Sequence, residues 1–404
     1  MAFFALTVLG LALAGYGAGR WCAVRSKAGR SRALHSPAVY HGVSMALAVV
    51  IPVSLVLIIG AVIPALQGGG VSIASGNWQV IALLCAGACM AFTLYFVQRN
   101  FPARIVVERL MLMVMVAAAL VAILVSLGII VSLLFETFNF FRLHPWQDFF
   151  FGTVWSPNFR GDSELAILPL LWGTLYISMV ALAVAVPIGL FSAVYLAEYA
   201  SASFRKVVKP LLEILAGIPT IVYGLFALLT FGPLLQSIFG EAGFLGVNWM
   251  ADARAVATAG IVMGIMLIPF ISSLSDDIIS AVPQDLRDGS YGLGATQSET
   301  IRQVVLPAAL PGVIGGVLLA ASRAIGETMI VVLGAGAIAR LSLNPLDALT
   351  TITTRIVSQL TGDGDFLSPE TLVAFALGLT LFLITLILNV IALYIVRTYR
   401  EQYE

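Results

Sequence analysis

Apolar residues come in stretches of about 20 or more, separated by short polar segments, and 20 is the number of residues a helix needs to cross a hydrocarbon core. The stretches fall at residues roughly 2–20, 43–65, 78–97, 110–135, 167–197, 208–235, 254–275, 308–334 and 371–396. The pattern predicts an all-α integral membrane protein of about nine transmembrane helices, with no soluble domain. Residues 1–100 hold three of the stretches, contain no intramembrane charge and read as an accessory membrane region. Residues 101–404 hold the other six. Pro187-Ile188-Gly189 predicts a kink in the fifth stretch. In the sixth, Gly217, Pro219 and Gly224 allow either close helix approach or local unwinding.

One polar stretch, residues 282–307, lies between two spans and reads as two short helices with a turn between them. Pro283 suits a first helical turn, where its missing N–H is not needed. Gly294 can take the positive φ that closes a helix, and Thr296 and Glu299 stand three apart as a capping box. The second helix is expected to end before Pro307. A polar helix pair between spans has to lie outside the bilayer, where a soluble partner can dock.

Composition agrees with the pattern: 60% of residues are hydrophobic, 10% are charged and the mean hydropathy is +1.01. No positive charge precedes the first stretch, so it reads as an uncleaved span rather than a signal peptide, with the N-terminus outside. With that start, inner segments carry 15 Lys and Arg residues and outer segments carry Arg142, Arg160, Arg254, Arg340 and Arg355. This places the C-terminus and the 283–307 segment in the cytoplasm. Cys22, Cys85 and Cys89 read as packing residues, and His35, His41 and His144 are expected in loops. No metal site or catalytic triad is visible. Lys27, Lys206 and Lys209 each lack the preceding Gly of a phosphate-binding loop, so any ATPase has to be another chain.

The eighth stretch carries Ser322-Arg323-Ala324-Ile325-Gly326-Glu327-Thr328, with Arg323 and Glu327 four apart on one expected helical face. An Arg at that depth costs at least ~2.5 kcal/mol unless it is paired or faces water. Either Arg323 offers its fork of donors to an oxyanion in a pathway while Glu327 holds it, or the two charges pair and fix packing. The first reading is preferred, since apolar residues would fill a structural role without the desolvation cost. Asn344-Pro345 and Ser368-Pro369 both read as helix starts, and Gly362-Asp363-Gly364-Asp365 as a solvated loop. The aromatic residues between Phe138 and Leu165 form either an interfacial helix or a seat for an external protein.

The spacing of Asp288-Gly289-Ser290, Gly294, Val304 and Leu306-Pro307 resembles the coupling loop of bacterial ABC-importer permeases, Glu-Ala-Ala, three residues, Gly, nine residues, Ile, one residue, Leu-Pro. Asp288 keeps the carboxylate, while Gly289 and Ser290 in place of two alanines weaken the helix by roughly 1 kcal/mol. Together with residues 168–198, residues 209–224 and the 323–328 motif, this loop makes residues 105–400 similar to permease subunits of the phosphate-specific ABC importer, the PstC type more than the PstA type. The resemblance implies a six-helix type I importer core in a bacterial inner membrane, paired with a PstA-type permease. It also implies two PstB-type ATPase subunits that bind ATP and Mg, and an external PstS-type phosphate-binding protein. Arg323 and Glu327, with Glu213 and Thr328, would line the phosphate pathway. Asp288, Gly289, Ser290, Gly294, Leu306 and Pro307 would couple to the ATPase. No cofactor in the chain, no enzymatic activity of its own and no nucleic-acid partner are expected. Physics alone leaves open another oxyanion, such as sulfate or molybdate, and an ion-coupled secondary transporter is the rival of a different class.

Overall fold

The computed structural model describes residues 2–28, 36–66, 76–97, 102–158, 163–241, 243–244, 247–361 and 368–400. The chain forms two compact units, residues 1–127 and 128–404. The first holds α1 (Ala2–Ala28), α2 (Ala38–Leu66), α3 (Gly76–Val97) and the beginning of α4 (Ala103–Leu143). Its helices meet where side chains are smallest, as expected where no hydrophobic effect drives helices together. A Cβ on Gly19 would stand 2.6 Å from the His41 carbonyl oxygen, and one on Gly60 would stand 2.8 Å from the Trp78 ring. His41 is therefore not in a loop. Ser36-Pro37 starts α2 at Ala38, five residues before the expected span, and His41 is buried on it. His35 and the 68–70 glycines lie outside the described residues.

In the second unit, α5 (Trp146–Phe151) and an antiparallel pair, β1 (Trp155–Ser156) with β2 (Glu164–Leu165), precede α6 (Leu168–Val194). Then follow α7 (Ala202–Ala216), α8 (Thr220–Phe226), α9 (Gly232–Phe239), α10 (Val256–Ser280), α11 (Gln284–Gly292), α12 (Gln297–Thr300), α13 (Leu306–Ile325), α14 (Met329–Gly334), α15 (Ile352–Leu360) and α16 (Pro369–Arg400). Single π-helical turns at 195–199, 227–231 and 301–305 join α6 to the approach of α7, α8 to α9, and α12 to α13.

Among the described residues seven helical runs are long and apolar enough to cross a membrane, and six of them follow residue 100: Ala103–Leu143, Leu168–Tyr199, Thr220–Phe239, Val256–Ser280, Gln297–Ile325 and Pro369–Thr398. The seventh is Ala38–Leu57, Trp78–Thr93 is a shorter apolar helix, and the expected count of nine is not reached. Span six differs from its expected 208–235 bounds. Residues 202–216 form a separate amphipathic helix with no buried residue, and the crossing helix begins only at Thr220. The interruption is at Gly217-Ile218-Pro219, bridged by the Tyr223 hydroxyl donating to the Leu215 carbonyl at 3.1 Å.

Two further expectations change. The helix does not end before Pro307 but runs through it into α13. In the π-turn at 301–305 the Leu306 N–H reaches back to the Ile301 carbonyl, so Pro307 enters as the first turn of a new α-helical register. No helix starts at Pro345. Asn344 and Asp347 close a turn instead, and Leu349 and Thr350 bond the carbonyls of Ala335 and Ile338 at 3.0 Å each, so α15 waits until the Thr351 cap. Ser368 does start α16, with its carbonyl accepting from Thr371 and Leu372. Gly362-Asp363-Gly364-Asp365 lies outside the described residues. The aromatic segment is divided: Phe140, Phe149 and Trp155 are buried against Leu372, Val373 and Leu377 of α16, while Phe138, Trp146 and Phe151 are exposed.

The central helix is α10, of which Val262, Met263, Leu267 and Ile271 are fully buried. It packs on α6 through Gly260 and Gly264, one turn apart on the same face, and through Gly189 of α6. A Cβ on Gly264 would meet the Ala181 carbonyl and the Val184 Cβ, each at 2.9 Å, and backbone cannot swing aside. Gly264→Ala should therefore separate the two helices at a cost of about 1–3 kcal/mol, read as a lowered thermal transition of the purified protein in detergent. An unchanged transition would mean the contact is loose.

Candidate functional site

At one end of the second unit α6, α10 and α13 are bound to the polar segment predicted for a partner. The organising residue is Arg287 on α11, a buried guanidinium. It donates to Glu198 Oε1 at 2.9 Å and to the carbonyls of Val282 at 2.5 Å and Ile279 at 2.9 Å. Glu198 belongs to the π-turn that extends α6, and Ile279 to the last turn of α10, where its carbonyl also accepts from the Val282 N–H at 3.3 Å. Gln297 adds a bond to the Glu198 carbonyl at 2.7 Å, and the Ser290 and Thr300 hydroxyls meet at 2.9 Å. The capping box closes as expected: Thr296 N–H donates to Glu299 Oε2 at 2.8 Å, the Thr296 side chain accepts from Glu299 N–H, and Gly294 has φ +87°.

Asp288, Gly289, Leu286, Tyr291 and Leu293 point away from this scaffold and are exposed. A Cβ on Gly289 would meet nothing within 4 Å. The exposed face thus combines apolar and acidic groups on a rigidly held helix. Beside it, α7 is fastened to α10 by two basic residues. Arg205 bonds both oxygens of Asp276, at 2.8 and 2.9 Å, and Lys209 bonds Asp276 and Asp277 at 2.9 Å each. The hydrogen bond to Asp276, then that to Asp277, raises the Lys209 ammonium above its usual pKa. Glu213, expected in the pathway, is exposed on α7 ahead of the crossing helix.

The second region is at the far end of α13, where the helix stops. Gly326 is its C-cap, Glu327 leaves the α13 face, and α14 begins at Met329. Arg323 and Glu327 are therefore not a pair on one helical face. Glu327 Oε1 accepts from the N–H groups of Thr328 at 3.1 Å, Met329 at 3.0 Å and Ile330 at 3.5 Å, so the carboxylate caps α14. Its own carbonyl accepts from the Thr353 hydroxyl of α15 at 2.9 Å. Arg323 is left exposed in this chain, its guanidinium carbon 5.9 Å from the Phe270 ring centroid of α10. Thr328 sits at the break, half-buried, with its hydroxyl toward the Gly326 carbonyl at 3.4 Å.

The short helix α14 is seated by glycines. A Cβ on Gly224 of α8 would stand 2.9 Å from the Met329 carbonyl, and one on Gly334 would stand 3.0 Å from Ala227. The two readings of the span-six glycines are both realised, at different residues: unwinding at Gly217 and close approach at Gly224. The structure brings Asp288, Gly289, Ser290, Gly294, Leu306 and Pro307 together at one end and Arg323, Glu327 and Thr328 at the other. Two groups carry little local signal. Arg287 stands in the sequence only as a topological charge, and Asp276-Asp277 at the end of a span is the available signal for Arg205 and Lys209.

Comparison with known proteins gives a consistent result. Residues 185–401 match the family described as binding-protein-dependent transport system inner membrane component, and residues 5–72 match one described as phosphate ATP-binding cassette transporter. The phosphate transport system permease protein PstC of Mesorhizobium japonicum is 34% identical over 294 residues, covering 69% of this chain and 86% of that protein. PstC of Pasteurella multocida is 33% identical over 298 residues, covering 70% and 90%, and the probable ABC transporter permease protein YqgH of Bacillus subtilis is 30% identical over 285 residues, covering 70% and 89%. Among solved structures, the inward-facing MetNI methionine ABC transporter aligns with a TM-score of 0.43 at 18% identity, over 58% of this chain and 95% of that chain. The family match covers more than half of the sequence: the chain belongs to the inner membrane component family of binding-protein-dependent transport systems.

Proposed function

We propose that this chain is a permease subunit of an ATP-binding-cassette importer for inorganic phosphate, of the PstC type, supplying half of the transmembrane pathway and coupling to separate ATPase subunits. The observation that carries the substrate reading is Arg323, a charge in a membrane-crossing run with no ion pair among the described residues, the carboxylate four residues on, Glu327, capping α14 instead. A guanidinium with free donors at that depth is suited to a tetrahedral oxyanion. Phosphate is favoured among oxyanions by the phosphate transporter match at residues 5–72 and by the PstC relatives. The partners on this reading are a PstA-type permease, two PstB-type subunits carrying ATP and Mg, and a PstS-type binding protein. The chain is an inner-membrane protein with its N-terminus outside and its C-terminus in the cytoplasm, and it carries no ATPase site of its own.

The cycle is alternating access. The exposed face of α11, with Asp288, Leu286, Tyr291 and Leu293, meets the ATPase. Closure of the nucleotide-bound ATPases displaces α11, and Arg287 passes the displacement to α6 and α10 while Thr300 and the π-turn pass it to α13. The spans rock so that the pathway opens outward to receive phosphate, and hydrolysis returns it inward. The ATPase shifts this equilibrium only by as much as its affinity differs between the two arrangements.

Three outcomes test the proposal in vesicles holding the assembled complex. Arg323→Gln should abolish phosphate uptake while the complex stays assembled; normal uptake would place the anion site elsewhere. Asp288→Arg should lose the ATPase subunit on purification, and its retention would remove α11 from the interface. Arg287→Met leaves Glu198 buried without its cation, a loss of roughly 3–5 kcal/mol. It should lower the thermal transition and separate ATP hydrolysis from uptake, whereas tightly coupled turnover in this variant would show that force enters by another route.

A further inference from the structure

Three arginines converge on one loop at the end of the second unit opposite the coupling segment. α10 begins there at Val256 and α13 ends there at Ile325, since both have their other ends at α11 and α12. The loop is the chain after α14, where Gly336 takes φ +103°. It is held by Ala255 N–H to the Gly334 carbonyl, Leu349 N–H to Ala335 and Thr350 N–H to Ile338, each at 3.0 Å. A Cβ on Gly336 would stand 3.8 Å from the Cβ of Arg254, Arg340 follows four residues later, and Arg355 of α15 reaches the Ala337 carbonyl with Nη2.

Two of the three are neutralised locally. Arg340 pairs with Asp347 at 3.0 Å, and Arg254 lies 3.6 Å from Asp252. Arg355 differs. It has no carboxylate within ion-pair distance among the described residues, and its Nε is buried without a protein acceptor. The Thr350 hydroxyl, on the same loop, is also buried without a partner. Burial holds the Arg355 guanidinium below its usual pKa, although an arginine stays charged near neutrality. One bond to a carbonyl fastens α15 to the loop, but that needs one donor of five, and a half-buried cation without a counter-charge is costly where an amide or hydroxyl would do.

Arg355 also has a defined place relative to the helix break. Two residues earlier on α15, Thr353 bonds the carbonyl of Glu327 at 2.9 Å, so α15 rests directly on the segment that separates α13 from α14. We infer that Arg355 is a second oxyanion-docking residue, receiving a phosphate-sized tetrahedral anion through its uncommitted N–H groups at the end of the bundle opposite α11, before the anion reaches Arg323. Arg254 and Arg340, each beside an aspartate, shape the local field without binding as strongly. The inference rests on the phosphate-importer reading and adds a site to it.

The test compares wild type, Arg355→Gln and Arg355→Lys as the full complex with its external binding protein in vesicles, measuring initial uptake against phosphate concentration. Arg355→Gln should raise the half-saturating phosphate concentration about tenfold, the worth of one charge-assisted hydrogen bond, with Arg355→Lys recovering most of the loss. A wild-type concentration dependence in Arg355→Gln would overturn the site. A second measurement does not depend on a variant folding: phenylglyoxal modification of Arg355 in the wild-type complex, read by peptide mass spectrometry. Phosphate should slow it and chloride at equal ionic strength should not; equal rates would overturn the site. If wild type takes up sulfate and no phosphate, the substrate reading falls, and protection of Arg355 by sulfate still decides whether an anion docks there.

Discussion

The carboxylate of Glu327 on the first N–H groups of α14 is the contact on which the centre of the second unit depends. A helix that stops inside a bundle exposes backbone donors at its restart, and in hydrocarbon each unsatisfied group costs several kcal/mol. Here one carboxyl oxygen gathers three of them, where an ordinary side-chain cap satisfies one and contributes ~1 kcal/mol. With that restart secured, α14 can lie against Gly224, Ala227 and Ala259, none of which offers a side chain larger than a methyl group. The same choice removes Glu327 from Arg323. Capping and pairing compete for one carboxylate, and capping has it.

The other end is built on the converse arrangement, a buried cation with a carboxylate and two carbonyls directed at it. Arg287 takes a carboxylate from α6 and two carbonyls from the end of α10, so its desolvation is offset by three charge-assisted hydrogen bonds. Replacing such a group by apolar packing is often neutral for stability alone. What the arginine adds is direction, since its planar fork fixes α11 against two spans at once. Gly289 and Ser290 make α11 a weaker helix by propensity, and these tertiary bonds hold it in place.

Much of this was legible in the sequence because it is local. The capping box at Thr296 and Glu299, the positive φ at Gly294 and the start at Ser368-Pro369 each need only a few neighbouring residues to specify, and all are realised. The six crossings after residue 100 follow from apolar length. What failed has two origins, a local register change and partners distant in sequence. Pro307 reads as a stop, yet the π-turn immediately before it lets the helix pass, and no side-chain pattern marks such a turn. Arg323 and Glu327 read as a pair at helical spacing, yet Gly326 ends the helix, and the reason to end it is the seat offered by Gly224, about a hundred residues away. Asn344-Pro345 has a helix-start signature, but the bonds from Leu349 and Thr350 to the Ala335 and Ile338 carbonyls keep the chain extended. Arg287 and Arg355 carry no local pattern at all.

The two ends are joined by α13, and this sets what the proposed cycle can do. The helix enters at Leu306, directly after the π-turn that follows α12, and ends at Ile325, about 30 Å away at 1.5 Å per residue. Arg323 rides on its last turn, whereas Glu327 belongs to the start of α14, which is seated on α8 and α10. A tilt of α13 imposed at α11 is therefore a displacement of Arg323 relative to Glu327, with Gly326 as the joint between them. Had the two residues shared one helix, their separation would be fixed through the cycle and the cation would be equally neutralised in every state. Because they sit on opposite sides of the break, on the proposed cycle the field that an anion would meet at Arg323 would change with the position of α11. That is the differential interaction needed for binding at one end to respond to nucleotide at the other.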